Sequence, residues 1–107
     1  MLAKSRSRIA LYVENAARRL DKLMSGWYNE INTNKLELGC LDNCICGQLY
    51  GYWGNAPSSI KNMPACDPVK MREELDDWTN TDNGYNEMES ALNKYWTMAI
   101  LRRKHRG

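Results

Sequence analysis

Apolar side chains recur at intervals of three and four near the start of the chain: Ile9, Val13, Ala16, Leu20 and Leu23, flanked by Ala17 and Met24. Glu14, Arg18, Arg19 and Lys22 fall largely off that line. This periodicity predicts an amphipathic helix over residues 6–24. Ser25-Gly26 ends it, because glycine enters the left-handed turn after a helix at least cost. Trp27 and Ile31, four apart, fit one short helical turn, and the asparagines with Thr33 then stop any regular pattern. Leu36 and Leu38 alternate with Lys35 and Glu37 as a strand would, but no partner strand is evident, so residues 32–40 read as a packed loop.

From Asn43 to Ile60 the chain carries no charge at all. Asp42 or Asn43 would cap a helix beginning at Cys44. On its wheel Ile45, Leu49 and Tyr52 form an apolar stripe; Cys44, Gly47 and Gly51 form a sector of small groups; Cys46, Tyr50 and Trp53 form a third. A helix without a polar face is one surrounded by protein. Two glycines inside it cost ~1 kcal/mol each, and a backbone packed into a Gly47/Gly51 groove would offset that. The pattern therefore predicts a short, buried, central helix over residues 44–52. A long loop follows it, with Pro57 and Pro64, tacked down by Ile60 and Met63.

Asp67-Pro68 opens the next helix: aspartate accepts a bond as N-cap, and proline at the first helical position loses no intrahelical bond. Met71, Leu75 and Trp78 are its buried stripe. "NTDNG" over residues 80–84 reads as a turn. The last helix is expected to open at Asn86, with Glu89 three residues on as a capping box, and to run through Met88, Leu92, Tyr95, Trp96, Ala99 and Ile100. The class is then an all-α bundle of about four helices, one domain spanning 1–107.

Composition refines this picture in two ways. Phenylalanine is absent, so the bulky core groups must come from the four tryptophans, Trp27, Trp53, Trp78 and Trp96, and from methionine and tyrosine. The net charge is only +2, yet it is unevenly spread. Residues 1–24 carry Lys4, Arg6, Arg8, Arg18, Arg19 and Lys22 against Glu14 and Asp21. The end carries Arg102, Arg103, Lys104 and Arg106, and the middle is acidic. Basic ends suit either an anionic partner such as nucleic acid or the negative ends of helices. The apolar run "IALYV" is too short for a secretion signal, and no run approaches the ~20 apolar residues of a membrane span. A cytoplasmic protein with reduced cysteines is expected.

The order Asn43, Cys44, Ile45, Cys46, Gly47, Gln48, Leu49, Tyr50, Gly51, preceded by Leu36-x-Leu38 and followed by Leu92-x3-Trp96-x3-Ile100, resembles small uncharacterised proteins of actinobacteria and their phages. Cys46 stands where that group carries an aliphatic residue. The resemblance implies a phage or prophage origin, an infected bacterial cytoplasm as the setting, and a structural role for Cys44, Gly47, Gln48, Leu49 and Gly51.

Candidate chemistry is sparse. Four cysteines, Cys40, Cys44, Cys46 and Cys66, suggest zinc, but Cys66 lacks a second ligand nearby, and Cys44 and Cys46 diverge by ~200° on a helix. Neither a metal nor a cofactor is expected. Cys44 at a helix start would have its thiolate favoured by free N–H groups, with Gln48 one turn on. The only histidine, His105, lies in the basic tail, so a base is missing. Carboxylates Glu73, Glu74, Asp76 and Asp77 read as a solvated face. The reading is a non-enzymatic accessory protein that binds a host or phage macromolecule, a protein partner first, in the manner of a counter-defence factor. Tyr50 and Trp53 are its candidate contact aromatics, and a homo-oligomer is compatible with such surplus aromatics. Two alternatives stand beside it. One is nucleic-acid binding through Lys4, Arg6, Arg8, Arg18, Arg19, Arg102, Arg103, Lys104 and Arg106; the other is small-molecule binding at Cys44 and Gln48.

Overall fold

A computed structural model describes residues 3–75 and 82–106 of the chain. Trp78, Asp76 and Asp77 lie outside the described residues, as do the side chains of Lys4 and Asn86. The protein is all-α, with no strand among the described residues. Five α-helices follow one another: α1 (Ala3–Leu23), α2 (Ile45–Tyr50), α3 (Ser58–Lys61), α4 (Pro68–Glu74) and α5 (Asp82–Arg106). Single 3₁₀ turns lie at Trp27–Glu30, Trp53–Asn55 and Pro64–Cys66.

The periodicity of the first segment holds as far as Leu20: Ile9, Val13, Ala16, Ala17 and Leu20 are all buried, but Leu23, expected on the same stripe, is exposed in the last turn of α1. Met88, Leu92, Trp96, Ala99 and Ile100 form the facing stripe of α5. These two long helices are the principal packed pair, and they run side by side in the same direction. Arg6 of α1 meets Glu87 of α5, and Asp21 near the end of α1 meets Arg103 near the end of α5. Burial of ten such side chains, at ~1.5–3 kcal/mol for each large one, supplies the main driving force for the fold.

Trp27 and Trp96, both fully buried, meet edge to face with ring centroids 5.9 Å apart. Each indole finds a partner for its N–H: Trp96 donates to the Ala65 carbonyl at 2.8 Å, and Trp27 to Asp21 at 2.9 Å. The two rings thereby tie α1, the 3₁₀ turn at 27–30, the 3₁₀ turn at 64–66 and α5 into one core.

Several expected boundaries move. α5 begins at Asp82, so Asn86 lies inside the helix rather than at its cap, and residues 82–84 are helical rather than a turn. α4 does open on Asp67-Pro68, with the Asp67 carboxylate accepting from the Val69 N–H. It closes at Glu74, with Leu75 buried just past its end. The long stretch after Gly54 is not a plain loop, because Pro57 and Pro64 each initiate a helical turn that buries Ile60, Ala65 and Cys66.

Candidate functional site

The Cys44–Gln48 segment is the first place to look for chemistry, and the structure uses nearly every polar group in it to hold the chain together. Cys44 does not lie on the helix. Its backbone is extended (φ −72, ψ 177), and it is the N-cap of α2: the sulfur accepts the Gly47 N–H at 3.2 Å. Neither Asp42 nor Asn43 caps the helix, because the chain makes a further turn, Cys44 N–H to Cys40 carbonyl, before α2 begins.

Burial raises the Cys44 thiol above its ordinary range, and the Gly47 N–H only partly opposes it. An activated thiolate is thus disfavoured, contrary to the expectation from helix position. The effect of burial wins over that of the helix end.

Gln48 is spent in the same way. Its side-chain carbonyl accepts the Asn32 N–H at 2.7 Å, while its amide donates to the carbonyls of Asn32 and Asn43 at 3.2 and 3.0 Å. Three bonds from one side chain staple the loop at 32 and the turn at 43 to α2. Both of its amide N–H donors are thereby used, so neither is free to offer to a substrate carbonyl.

Gly47 is required by close approach, as the sequence implied, but not by another helix. A Cβ there would stand 2.5 Å from the Asp42 carbonyl carbon and 2.6 Å from its oxygen, with the Leu41 carbonyl oxygen also inside contact. The 41–42 turn therefore lies directly against the helix backbone. Gly51 has no part in such a groove: nothing lies within 4 Å of its own notional Cβ. Its φ of 84 makes it the left-handed C-cap that stops α2 after Tyr50.

Because the helix stops there, Tyr52 and Trp53 do not share its wheel, and Tyr52 is exposed. The first turn of α2 (Ile45, Cys46, Gly47) is buried, whereas Leu49 and Tyr50 are only partly covered. α2 is thus enclosed at one end rather than on every side, and the α1–α5 pair is the centre of the molecule.

Cys46 and Cys66, both buried, face one another, so Cys66, which has no cysteine or histidine near it in the sequence, gains a thiol neighbour in the fold. Cys46 and burial together hold the Cys66 thiol protonated well above the usual thiol range. No group of three or more metal-ligating residues occurs among the described residues.

Trp53 and Tyr50, the candidate contact aromatics, are partly buried and pack against the core. The Trp53 indole donates to the Cys66 carbonyl at 3.2 Å, with the Lys61 ammonium 5.4 Å from its ring centroid. Leu41 and Val69 are exposed, and they border an apolar cleft of about 240 Å³ that reaches Cys44 and Trp53 but not Gln48.

The basic residues divide into three groups. Toward the start of α1, Arg6 pairs with Glu87 at 3.4 Å and Arg8 donates to the Glu74 carbonyl. Near the carboxyl ends of α1 and α5, Arg103 turns inward, while Lys104 stays exposed and bonds back to the fold. Arg103 is 7 % exposed; its Nε and Nη2 grip the Asp21 carboxylate at 3.0 and 2.9 Å, and its Nη1 reaches the Ala99 carbonyl. Lys104 donates to the Ile31 carbonyl at 3.2 Å. Arg103 thereby serves the fold and is withdrawn from the set of candidate contacts, whereas Lys104 has one of its donors engaged.

The remaining cations, Arg18, Arg19, Lys22, Arg102 and Arg106, are exposed at that same end. Two of them, Arg18 and Arg102, are organised by Glu14, which the sequence pattern did not single out: its carboxylate is shared by Arg18, Arg102 and the buried Arg103 at 3.4, 3.5 and 3.4 Å. The i,i+4 spacing of Glu14 and Arg18 was a visible signal; the contribution of α5 was not.

Among the described residues, no helix is long and apolar enough to cross a membrane. Comparison with known protein families, with curated proteins and with solved structures finds no match to this chain.

Proposed function

We propose that this chain is a non-enzymatic accessory protein that acts by binding a macromolecule. The observation that supports this most is the internal use of the Cys44–Gln48 motif. A capping thiol held protonated by burial and an amide with three backbone bonds form a scaffold, and they leave no nucleophile poised beside an acceptor. What the surface offers instead is charge gathered at one end of a rigid helix pair, which is the means of a binding protein. The resemblance to proteins of actinobacteriophages sets the reading in an infected bacterial cytoplasm, with a host or phage macromolecule as target and interference with a defence system as the outcome. Affinity capture from bacterial lysate, with and without nuclease, tests the reading. Saturable retention of a defined protein or nucleic acid is expected. Retention of neither, together with turnover of a small molecule that Cys44→Ser abolishes, would overturn it.

A further inference from the structure

The exposed cations at the carboxyl ends of α1 and α5 are built into a surface, and their arrangement suits one kind of partner. Because α1 and α5 run parallel, the cations late in α1 and those late in α5, far apart in the sequence, arrive at the same end of the molecule. One carboxylate, Glu14, lies among three guanidiniums there. Arg103 is consumed by the core, but the side chains of Arg18 and Arg102 remain 70 % and 58 % exposed. A single carboxylate thus holds two exposed guanidiniums side by side while neutralising less than their combined charge.

Beside them, Arg18, Arg19 and Lys22 line an open hollow of about 480 Å³ between α1 and Ser59 of α3. Arg19 and Lys22 make no ion pair or hydrogen bond among the described residues, and Arg106 stands close enough to Asp21 to lower its pKa. Five cations therefore cover the outer face of the last turns of α1 and the adjoining edge of α5. The two parallel helix ends carry a partial charge of about −0.5 each, which five full charges exceed several times over.

We propose that this face binds the sugar–phosphate backbone of a nucleic-acid duplex, resting on the binding reading above and naming its partner class. Guanidiniums are the groups that grip phosphate oxygens through paired N–H donors. The face carries no exposed aromatic residue on which a flipped or single-stranded base would stack, because Trp27 beneath it is fully buried. Backbone contact with a stacked duplex needs none. The contact is electrostatic and independent of sequence, and DNA and RNA duplexes share the chemistry it uses.

Fluorescence anisotropy with a labelled 20-base-pair DNA, the matching RNA duplex and a polyglutamate peptide tests this directly. Five phosphate contacts give a salt slope near −4.5, so duplex affinity should fall about 500-fold between 50 and 200 mM salt. Arg18→Gln with Arg102→Gln removes two contacts, and the fall should shrink to about 40-fold. Arg6→Gln, on a cation at the far end of the same helix, should leave both affinity and slope unchanged. Circular dichroism confirms that each variant is folded. Preference for one duplex over the other identifies which form is the partner. A double variant that binds like wild type, or equal loss on Arg6→Gln, overturns the inference. Polyglutamate binding as tight as duplex binding overturns the nucleic-acid assignment but leaves the broader binding reading intact.

Discussion

Replacing Gly47 with alanine sets two physical expectations against each other. Alanine is favoured over glycine inside a helix by ~1 kcal/mol, so helix propensity alone makes Gly47→Ala stabilising. The packing says the opposite. The new methyl would lie 2.5 and 2.6 Å from backbone atoms of Asp42 and still closer to the Leu41 carbonyl oxygen. No flexible side chain can give way there, so the 41–42 turn must move by about an ångström to restore ordinary contact.

Overpacking of this kind costs ~1–3 kcal/mol. The movement also strains the bond from the Trp53 N–H to the Leu41 carbonyl, now 2.9 Å, worth ~1 kcal/mol. Setting these losses against the propensity gain leaves a net destabilisation of about 2 kcal/mol, or a drop in Tm of roughly 10 °C for a domain of this size. Urea unfolding followed by tryptophan fluorescence measures it. Gly51→Ala is the control: its Cβ meets nothing, and only the left-handed backbone resists, at ~1 kcal/mol. A Gly47→Ala protein as stable as wild type, or more so, refutes the close-approach argument.

Two further outcomes follow from the buried groups. Arg103 lowers the pKa of Asp21, chiefly through their hydrogen bonds. A carboxylate depressed in the folded state contributes stability above its unfolded pKa of about 4 and loses it as pH falls through the lower folded value. The unfolding midpoint should therefore drop below about pH 4, and Asp21→Asn should flatten that part of the profile. An unchanged profile would remove the pair from the stability argument. Of the four thiols, only Cys40 is partly exposed, while Cys44, Cys46 and Cys66 are buried. An aromatic disulfide reagent should titrate one thiol quickly in native protein and all four in urea; two or more fast thiols in native buffer would contradict the burial.

Much of the architecture was readable from the sequence because it depends on spacing alone. The inward stripes of α1 and α5 are plain in the three-and-four intervals, and Asp67-Pro68 marks the start of α4 without ambiguity. The four tryptophans were readable as candidate anchors of a phenylalanine-free chain; Trp27 and Trp96 fill that place, whereas Trp53 is only partly buried and Trp78 lies outside the described residues. The local chemistry around α2 was not. Thiols seldom act as caps, so a wheel drawn from Cys44 placed that residue on a helix it only introduces. The same wheel was carried past Gly51, where a left-handed residue ends the helix, and so Tyr52 and Trp53 were assigned to faces that do not exist. Glycine spacing announced a close approach at Gly47 but could not say that the neighbour is the turn immediately before it. The basic ends were legible as charge; which cations turn inward depends on the parallel pairing of α1 and α5, which no local pattern encodes.

That parallel pairing also shapes how the molecule can come into being. Asp21 and Arg103 are 82 residues apart in sequence, and Arg6 and Glu87 are 81 apart. Bringing ends so distant together costs ~4 kcal/mol of chain entropy before their helices gain anything from each other. An all-helical protein ordinarily folds fast because its contacts are local. Here the pairing of the two longest helices waits on residues more than 80 apart, so the part of the α1 face that meets α5 stays uncovered in a growing polypeptide until α5 has been synthesised.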